Sequence, residues 1–230
     1  LGADGKSLLL KTVEALPAGL ELGDFLGNMN RACNRYIIRG NYFHDHRARG
    51  MLIQAKDGLI ENNHVARTMA GALNLTVDCN YWTEGFGIER LIVRGNTFET
   101  CNWAGWERHG SGVHMGMVSL AVDTKTGPGD YPVHHQVLFE NNTFIDTPGL
   151  ALFLSGCEDV VVRNNRLVGC NAEPFPGTGK NVGVEAQGSI FIARASKVTV
   201  YGTTEETPGE SFASGVVAQE NSTSDIVLEE

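Results

Sequence analysis

The sequence predicts an all-β fold, a right-handed parallel β-helix in which short strands stack coil upon coil into a solenoid. Three observations predict it. A degenerate repeat of about two dozen residues runs through the chain, and such periods belong to stacked supersecondary units. Its apolar residues alternate over stretches too short for helices. Glycine or asparagine recurs at fixed points, the residue types that tolerate the left-handed backbone of tight bends.

The repeat is carried by five segments: Tyr36-Ile-Ile-Arg-Gly-Asn41-Tyr-Phe43, Gly58-Leu-Ile-Glu-Asn-Asn63-His-Val65, Leu91-Ile-Val-Arg-Gly-Asn96-Thr-Phe98, Val137-Leu-Phe-Glu-Asn-Asn142-Thr-Phe144 and Val160-Val-Val-Arg-Asn-Asn165-Arg-Leu167. Each reads as a short strand, a polar corner and the start of a second strand. Stacked asparagines at the corner can hydrogen-bond from coil to coil. A Gly-led strand then follows in each unit, from Gly50, Gly71, Gly116, Gly149 and Gly188. A leucine-rich horseshoe would show a leucine comb and a propeller would show antiparallel hairpins; neither pattern is present. Toward the ends, Lys6-Ser-Leu-Leu-Leu10 and Gly19-Leu-Glu-Leu22 read as early coil strands, and Lys197-Val-Thr-Val200 and Asp225-Ile-Val-Leu228 as late ones. The stretch between Gly202 and Ser214 reads as an exposed loop.

Residues 1–230 are expected to form one β-helix domain, and with Leu1 rather than Met at the start a processed or trimmed part of a longer protein is expected. With 42% hydrophobic and 20% charged residues it has the composition of a folded chain, not a disordered one. A net charge of −9 argues against nucleic acid, whose phosphates need clustered lysine and arginine, and favours neutral substrates. No apolar run approaches the ~20 residues of a membrane span, so no membrane partner is expected. The five cysteines include no Cys-x-x-Cys pair and read as small residues at coil corners, with their disulfide status open.

Function in a solenoid is sought where the repeat is interrupted. Three insertions, residues 79–87, 101–113 and 124–134, fall on two neighbouring coils. They hold Tyr81, Trp82, Trp103 and Trp106, joined by Arg108, His109 and His114. Aromatic rings beside polar donors suit sugars, which present an apolar C–H face and a ring of hydroxyls. Carbohydrate is therefore the expected partner.

Strand parity selects the carboxylates. In 71–78, Leu73, Leu75 and Val77 share one face and Asn74, Thr76 and Asp78 the other; in 116–123, Met117, Ser119, Ala121 and Asp123 face outward. Asp78 and Asp123 stand at the same distance from their leading glycines. On adjacent coils, with backbones ~4.8 Å apart, their carboxyls would come within the range of glycosidic acid/base catalysis. One would protonate the leaving oxygen and the other activate water, the field of each raising the proton affinity of its neighbour. Glu84 is a third candidate. Asp57 and Asp159 read as plain corners, and by the same register Lys56 is expected beside Asp78, and Ser155 or Cys157 beside Asp123. His44-Asp-His46 offers no complete metal-ligand spacing, and His134-His135 reads as a loop end; no metal and no cofactor are called for.

The runs Arg47-Ala-Arg49-Gly50, Ile60-Glu-Asn-Asn63, Asp78-Cys-Asn-Tyr-Trp82-Thr-Glu84-Gly85 and Leu91-Ile-Val-Arg-Gly-Asn96-Thr-Phe98 resemble glycoside hydrolase family 110. The resemblance spans roughly residues 23 to 170. It implies an inverting, exo-acting α-1,3-galactosidase that removes terminal galactose from blood-group-B-type and linear α-galactosyl ends. It places an acid/base pair near Asp78, with substrate contacts from Trp82 and from the Trp103–Trp106 loop; Arg49 joins the candidate substrate-binding set. Where the family carries a second acid beside the Asp78 position, this chain has Val77, and family members are much longer. A secreted or periplasmic location is expected, and oligomeric state stays open. Two other functions fit the fold: a polysaccharide lyase, disfavoured by few basic residues in the insertions, and a non-catalytic glycan-binding module in which the aspartates only shape turns.

Overall fold

A computed structural model describes residues 32–103, 116–125, 127–129, 131–173, 188–209, 215–218 and 223–229, together with 5, 11–16, 18–21, 24, 27 and 28. These residues form a parallel β-helix with three walls. The first wall stacks β3 (Met51–Leu52), β6 (Leu73–Asp78), β9 (Gly116–Thr124), the leading halves of β13 (Leu150–Arg163) and β15 (Ile190–Tyr201), and β17 (Val216–Ala218). The second stacks β1 (Tyr36–Arg39), β4 (Gly58–Glu61), β7 (Glu89–Arg94), β11 (His134–Glu140), the trailing halves of β13 and β15, and β18 (Thr223–Leu228). The third stacks β2 (Tyr42–His46), β5 (His64–Thr68), β8 (Thr97–Glu99), β12 (Thr143–Ile145), β14 (Arg166–Val168) and β16 (Thr204–Glu206). Two-residue β10 (Gly127–Pro128) turns back antiparallel against the end of β9.

Like residues stack because the register is kept from coil to coil. Ile38, Ile60, Val93, Phe139, Val162 and Val200 form one inward row of the second wall. Phe43, Val65, Phe98, Phe144 and Leu167 form a row of the third, where the rings of Phe98 and Phe144 lie 5.2 Å apart. Leu75, Leu120, Leu154 and Ile192 form a row of the first. Burying these apolar surfaces against each other is the main drive to fold, on the order of 25 cal/mol per Å² removed from water.

The corner between the second and third walls has two parts. The first residue of each Gly-Asn or Asn-Asn pair takes the left-handed turn: φ is 66° at Gly40, 53° at Asn62, 62° at Gly95, 54° at Asn141 and 53° at Asn164. The second residue builds a ladder. Each Oδ1 accepts the backbone N–H and the Nδ2–H of the asparagine one coil before it, running Asn41, Asn63, Asn96, Asn142, Asn165 over separations of 22, 33, 46 and 23 residues. The polar corner can thus be buried with its donors and acceptors paired.

Three expectations are corrected. The stretch 202–214 is not wholly loop, since β16 lies within it and pairs with β14. Residues 18–21 contain no strand, while 6–10 lie outside the described residues. Met117, expected outward, belongs to the apolar core. The outward face of the first wall is itself closed from solvent, with Asn74, Thr76, Ser119, Ala121 and Phe153 all buried. The cysteines described are free thiols, three of them buried (Cys101, Cys157 and Cys170).

Candidate active site

Strands β6 and β9 outrun the coil above them. In that coil β13 turns directly from the first wall into the second, and Cys157 already pairs with His134 there. The ends of β6 and β9 therefore project at the corner between these walls, still paired to each other, and their last acids, Asp78 and Asp123, are direct register partners. Cys79 N–H donates to the Asp123 carbonyl at 2.8 Å, continuing the ladder one residue further.

Glu84 joins from the other side. It forms an antiparallel bridge with Asp78 through two backbone bonds of 2.9 and 2.8 Å. Partners directly opposite in a ladder point their side chains to the same face. Glu84, Asp78 and Asp123 thus make a row of three carboxylates at successive strand spacings, ~4.8 Å each between neighbouring backbones.

The three acids have different surroundings. Asp78 Oδ1 accepts the backbone N–H groups of Asn80, Tyr81 and Trp82 at 2.8, 2.7 and 3.2 Å, filling the loop that Glu84 closes. Asp123 is 8% exposed. Burial pushes its carboxyl above the usual range, the Asp78 charge adds to the rise, and a hydrogen bond from the Asn80 side chain opposes it. Burial and the same two carboxylates push the Cys79 thiol up as well. Glu84 sits at the surface, with Gln54 Nε2 donating to its Oε1 at 3.5 Å and to the Thr76 carbonyl at 2.9 Å.

Tyr81 and Trp82, exposed by 77% and 64%, pack edge to face with centroids 4.9 Å apart beside Asp78. Arg49 and Trp103 are not brought to the acids. Both lie at the corner where the third wall meets the first, the far end of the first wall: Gly50 N–H donates to Gly71 O, and Asn102 N–H to Thr68 O and Ala70 O. From Leu73 to Asp78 the strand runs five residue steps, about 16 Å at ~3.3 Å each. The insertions thus emerge at two different corners, the second opposite the other two. Trp106, Arg108, His109 and His114 lie outside the described residues. Lys56, expected beside Asp78, instead pairs with Glu89 at 2.5 Å, because the chain stays beside β6 only as far as Gln54, next to Thr76, and then turns into the second wall, where Asp57 N–H donates to Glu89 O. Neither Ser155 nor Cys157 extends the acid row, as that coil has already turned.

His134, read as a loop end, is a buried tie. Its Nδ1 accepts the Ile88 N–H at 3.1 Å and its Nε2 donates to the Ala121 carbonyl at 2.9 Å. One ring therefore fastens the end of the first insertion to the strand carrying Asp123. Complete burial holds its pKa down at about 4, the neutral form that can both donate and accept. A second tie is steric. Gly87 has φ +86°, and a Cβ there would stand 2.2 Å from the Val133 carbonyl oxygen, so only glycine lets the first and third insertions touch. Val77 lies beside Val122 in the register and is buried with it, so that position serves packing in this chain.

No family model matches the chain. Among curated proteins, the chain is 28% identical over 202 residues to "Alpha-1,3-galactosidase A" of Bacteroides fragilis (strain YCH46), covering 86% of this chain and 31% of that protein. It is 26% identical over 185 residues to "Alpha-1,3-galactosidase B" of Bacteroides thetaiotaomicron, covering 77% and 28%. It is 25% identical over 171 residues to "Alpha-1,3-galactosidase A" of Shewanella woodyi, covering 74% and 27%. The chain is thus distantly homologous to these galactosidases over most of its own length, and it spans about a third of the length of the curated relatives it matches.

Proposed function

We propose that the chain carries the acid/base centre of a glycoside hydrolase of family 110 type, which cleaves terminal α-galactosides with inversion. The observation that carries this is the row Glu84–Asp78–Asp123 on the projecting strand ends, with Asp123 buried and its proton affinity raised. A carboxyl whose proton affinity is raised by burial is suited to act as the general acid, and Asp123 takes that role. Asp78 shapes the loop that Glu84 closes, three amide N–H groups converging on one of its oxygens.

Spacing then assigns the base. Inverting enzymes hold their carboxyls ~6.5–9.5 Å apart to leave room for water, whereas retaining enzymes hold them at ~5–5.5 Å. Adjacent strands are too close for the first arrangement unless the side chains splay. Glu84 and Asp123 stand two spacings apart, about 10 Å between backbones, and their side chains can lean toward a water between them. Glu84 is therefore the base, and Asp78 a neighbouring charge that adds to the burial-driven rise in the proton affinity of Asp123. Tyr81 and Trp82 offer faces to the galactose ring. Asp123→Asn and Glu84→Gln should each lower kcat on p-nitrophenyl α-galactoside by about 10²–10⁴-fold. Wild-type rates in both variants would remove the assignment.

The glycan-binding reading has one observation in its favour: Asp78 does serve as a loop-shaping acceptor. Binding of α-galactosyl glycans with no release of galactose by the wild-type chain would select it.

A further inference from the structure

Beyond the acid row, the projecting insertions wall off a cavity of about 800 Å³ against the second wall of the helix. Its rims are aromatic. Phe86, from the first insertion, is 39% exposed, and Tyr131, from the third, is 76% exposed. Phe86 is held in place, since the backbone of Gly27 lies so close to its ring that a Cβ there would overlap it. The floor is an in-register row, Glu89, His135 and Glu158, on β7, β11 and β13. Lys56 pairs with Glu89 at 2.5 Å, Lys197 with Glu158, and His135 Nδ1 stands 3.8 Å from the Glu158 carboxylate. The site thus has donors and acceptors at ~4.8 Å intervals beneath two exposed rings.

We propose that this cavity is a second saccharide subsite, which binds a neutral pyranose further along the same glycan. Its volume falls in the ~300–1,000 Å³ range of small-molecule sites. Aromatic rims take the C–H faces of a sugar, and an alternating polar floor takes its hydroxyls. Two lysines stand against three carboxylates, counting Asp159, so the lining has no net positive field to hold a uronate, sulfate or phosphate. Its position follows from the chain path: the insertion that begins after Asp78 ends at Phe86 and Gly87, and the insertion that begins after Asp123 contains Tyr131. One pair of loops therefore has acids at its base and aromatic residues at its far side, and a glycan cleaved at the acids would leave its remaining sugars in the cavity.

The inference rests on the hydrolase reading for its substrate, and its test separates the two. Hydrolysis of linear α-1,3-galactosyl di-, tri- and tetrasaccharides is followed for wild type, Tyr131→Ala and Phe86→Ala, with thermal melts as the check on folding. The expected result is a kcat/KM that rises at least tenfold with length in wild type and no more than threefold in Tyr131→Ala. A length-independent wild type, or an equal loss on all three substrates, overturns the subsite and leaves the hydrolase standing. If no substrate is cleaved, the hydrolase reading fails, and calorimetric titration of the tetrasaccharide decides the subsite alone. Tenfold weaker binding by Tyr131→Ala supports it; equal affinity or no binding overturns it.

Discussion

Replacing Asn96 with alanine should cost this fold more than its size implies. Asn96 is 1% exposed. Its Oδ1 accepts the backbone and side-chain N–H of Asn63 at 2.9 and 3.0 Å, and its Nδ2 donates to Ile60 O at 2.9 Å and Asn142 Oδ1 at 3.0 Å. Alanine removes these four bonds and a fifth, from Nδ2 to Arg94 O at 3.1 Å, and strands buried partners on both neighbouring coils. A neutral bond contributes about 1 kcal/mol net, and each stranded buried group costs about 1–3 kcal/mol. Some relaxation is expected, so the loss should be about 3–5 kcal/mol, a large share of the ~5–15 kcal/mol of a typical domain. Asn41 is the control. It sits exposed at the end of the ladder, donates to Asn63 Oδ1 and Arg39 O, and can be replaced by water, so Asn41→Ala should cost about 1 kcal/mol or less. Urea unfolding followed by far-UV circular dichroism and by tryptophan fluorescence measures both, the two probes checking cooperativity in a stacked fold. Losses within 0.5 kcal/mol of each other would refute the view that the corner is held by a cooperative buried ladder.

His134 gives a pH prediction. Its folded pKa of about 4 lies below the unfolded value of ~6.5, so the unfolded chain binds the extra proton first. Stability from the neutral ring is complete above about pH 6.5 and is lost as pH falls through about 4, on the order of 3 kcal/mol in all. His134→Gln should flatten this part of the stability–pH curve between pH 6.5 and 4, and an unchanged slope would show that His134 does not hold the insertions. Gly87→Ala should loosen the first insertion from the third, lowering the proposed α-galactoside hydrolysis at least tenfold; its φ alone costs about 1 kcal/mol or more. Normal activity with an unchanged melting temperature would contradict the close approach to Val133.

The coil architecture was legible because it rests on local chemistry that repeats. Glycine and asparagine tolerate the φ of about 60° at positions such as Asn62 and Gly95 best, and an amide side chain can both donate and accept along the ladder. The pairing of Asp78 with Asp123 followed from counting out from Gly71 and Gly116, since a parallel stack preserves register. The surroundings were harder to read. Three insertions on two coils look alike in sequence, yet they leave at two corners, which separates Arg49 and Trp103 from the acids. His134 was read as a loop end because Gln136, with φ 56°, breaks the alternation between it and Val137. Lys56 was misplaced because the chain leaves the first wall after Gln54, two residues short of the position beside Asp78. The row Glu89, His135, Glu158 was invisible, as its members are brought together only by stacking.

The most direct test is time-resolved proton NMR of p-nitrophenyl α-galactoside mixed with the wild-type chain. Attack by a water held between Glu84 and Asp123 predicts that β-galactose appears first and then mutarotates. Release of α-galactose first would mean that the adjacent pair Asp78–Asp123 works through a covalent intermediate, and no release at all would leave the acid row without a hydrolytic role.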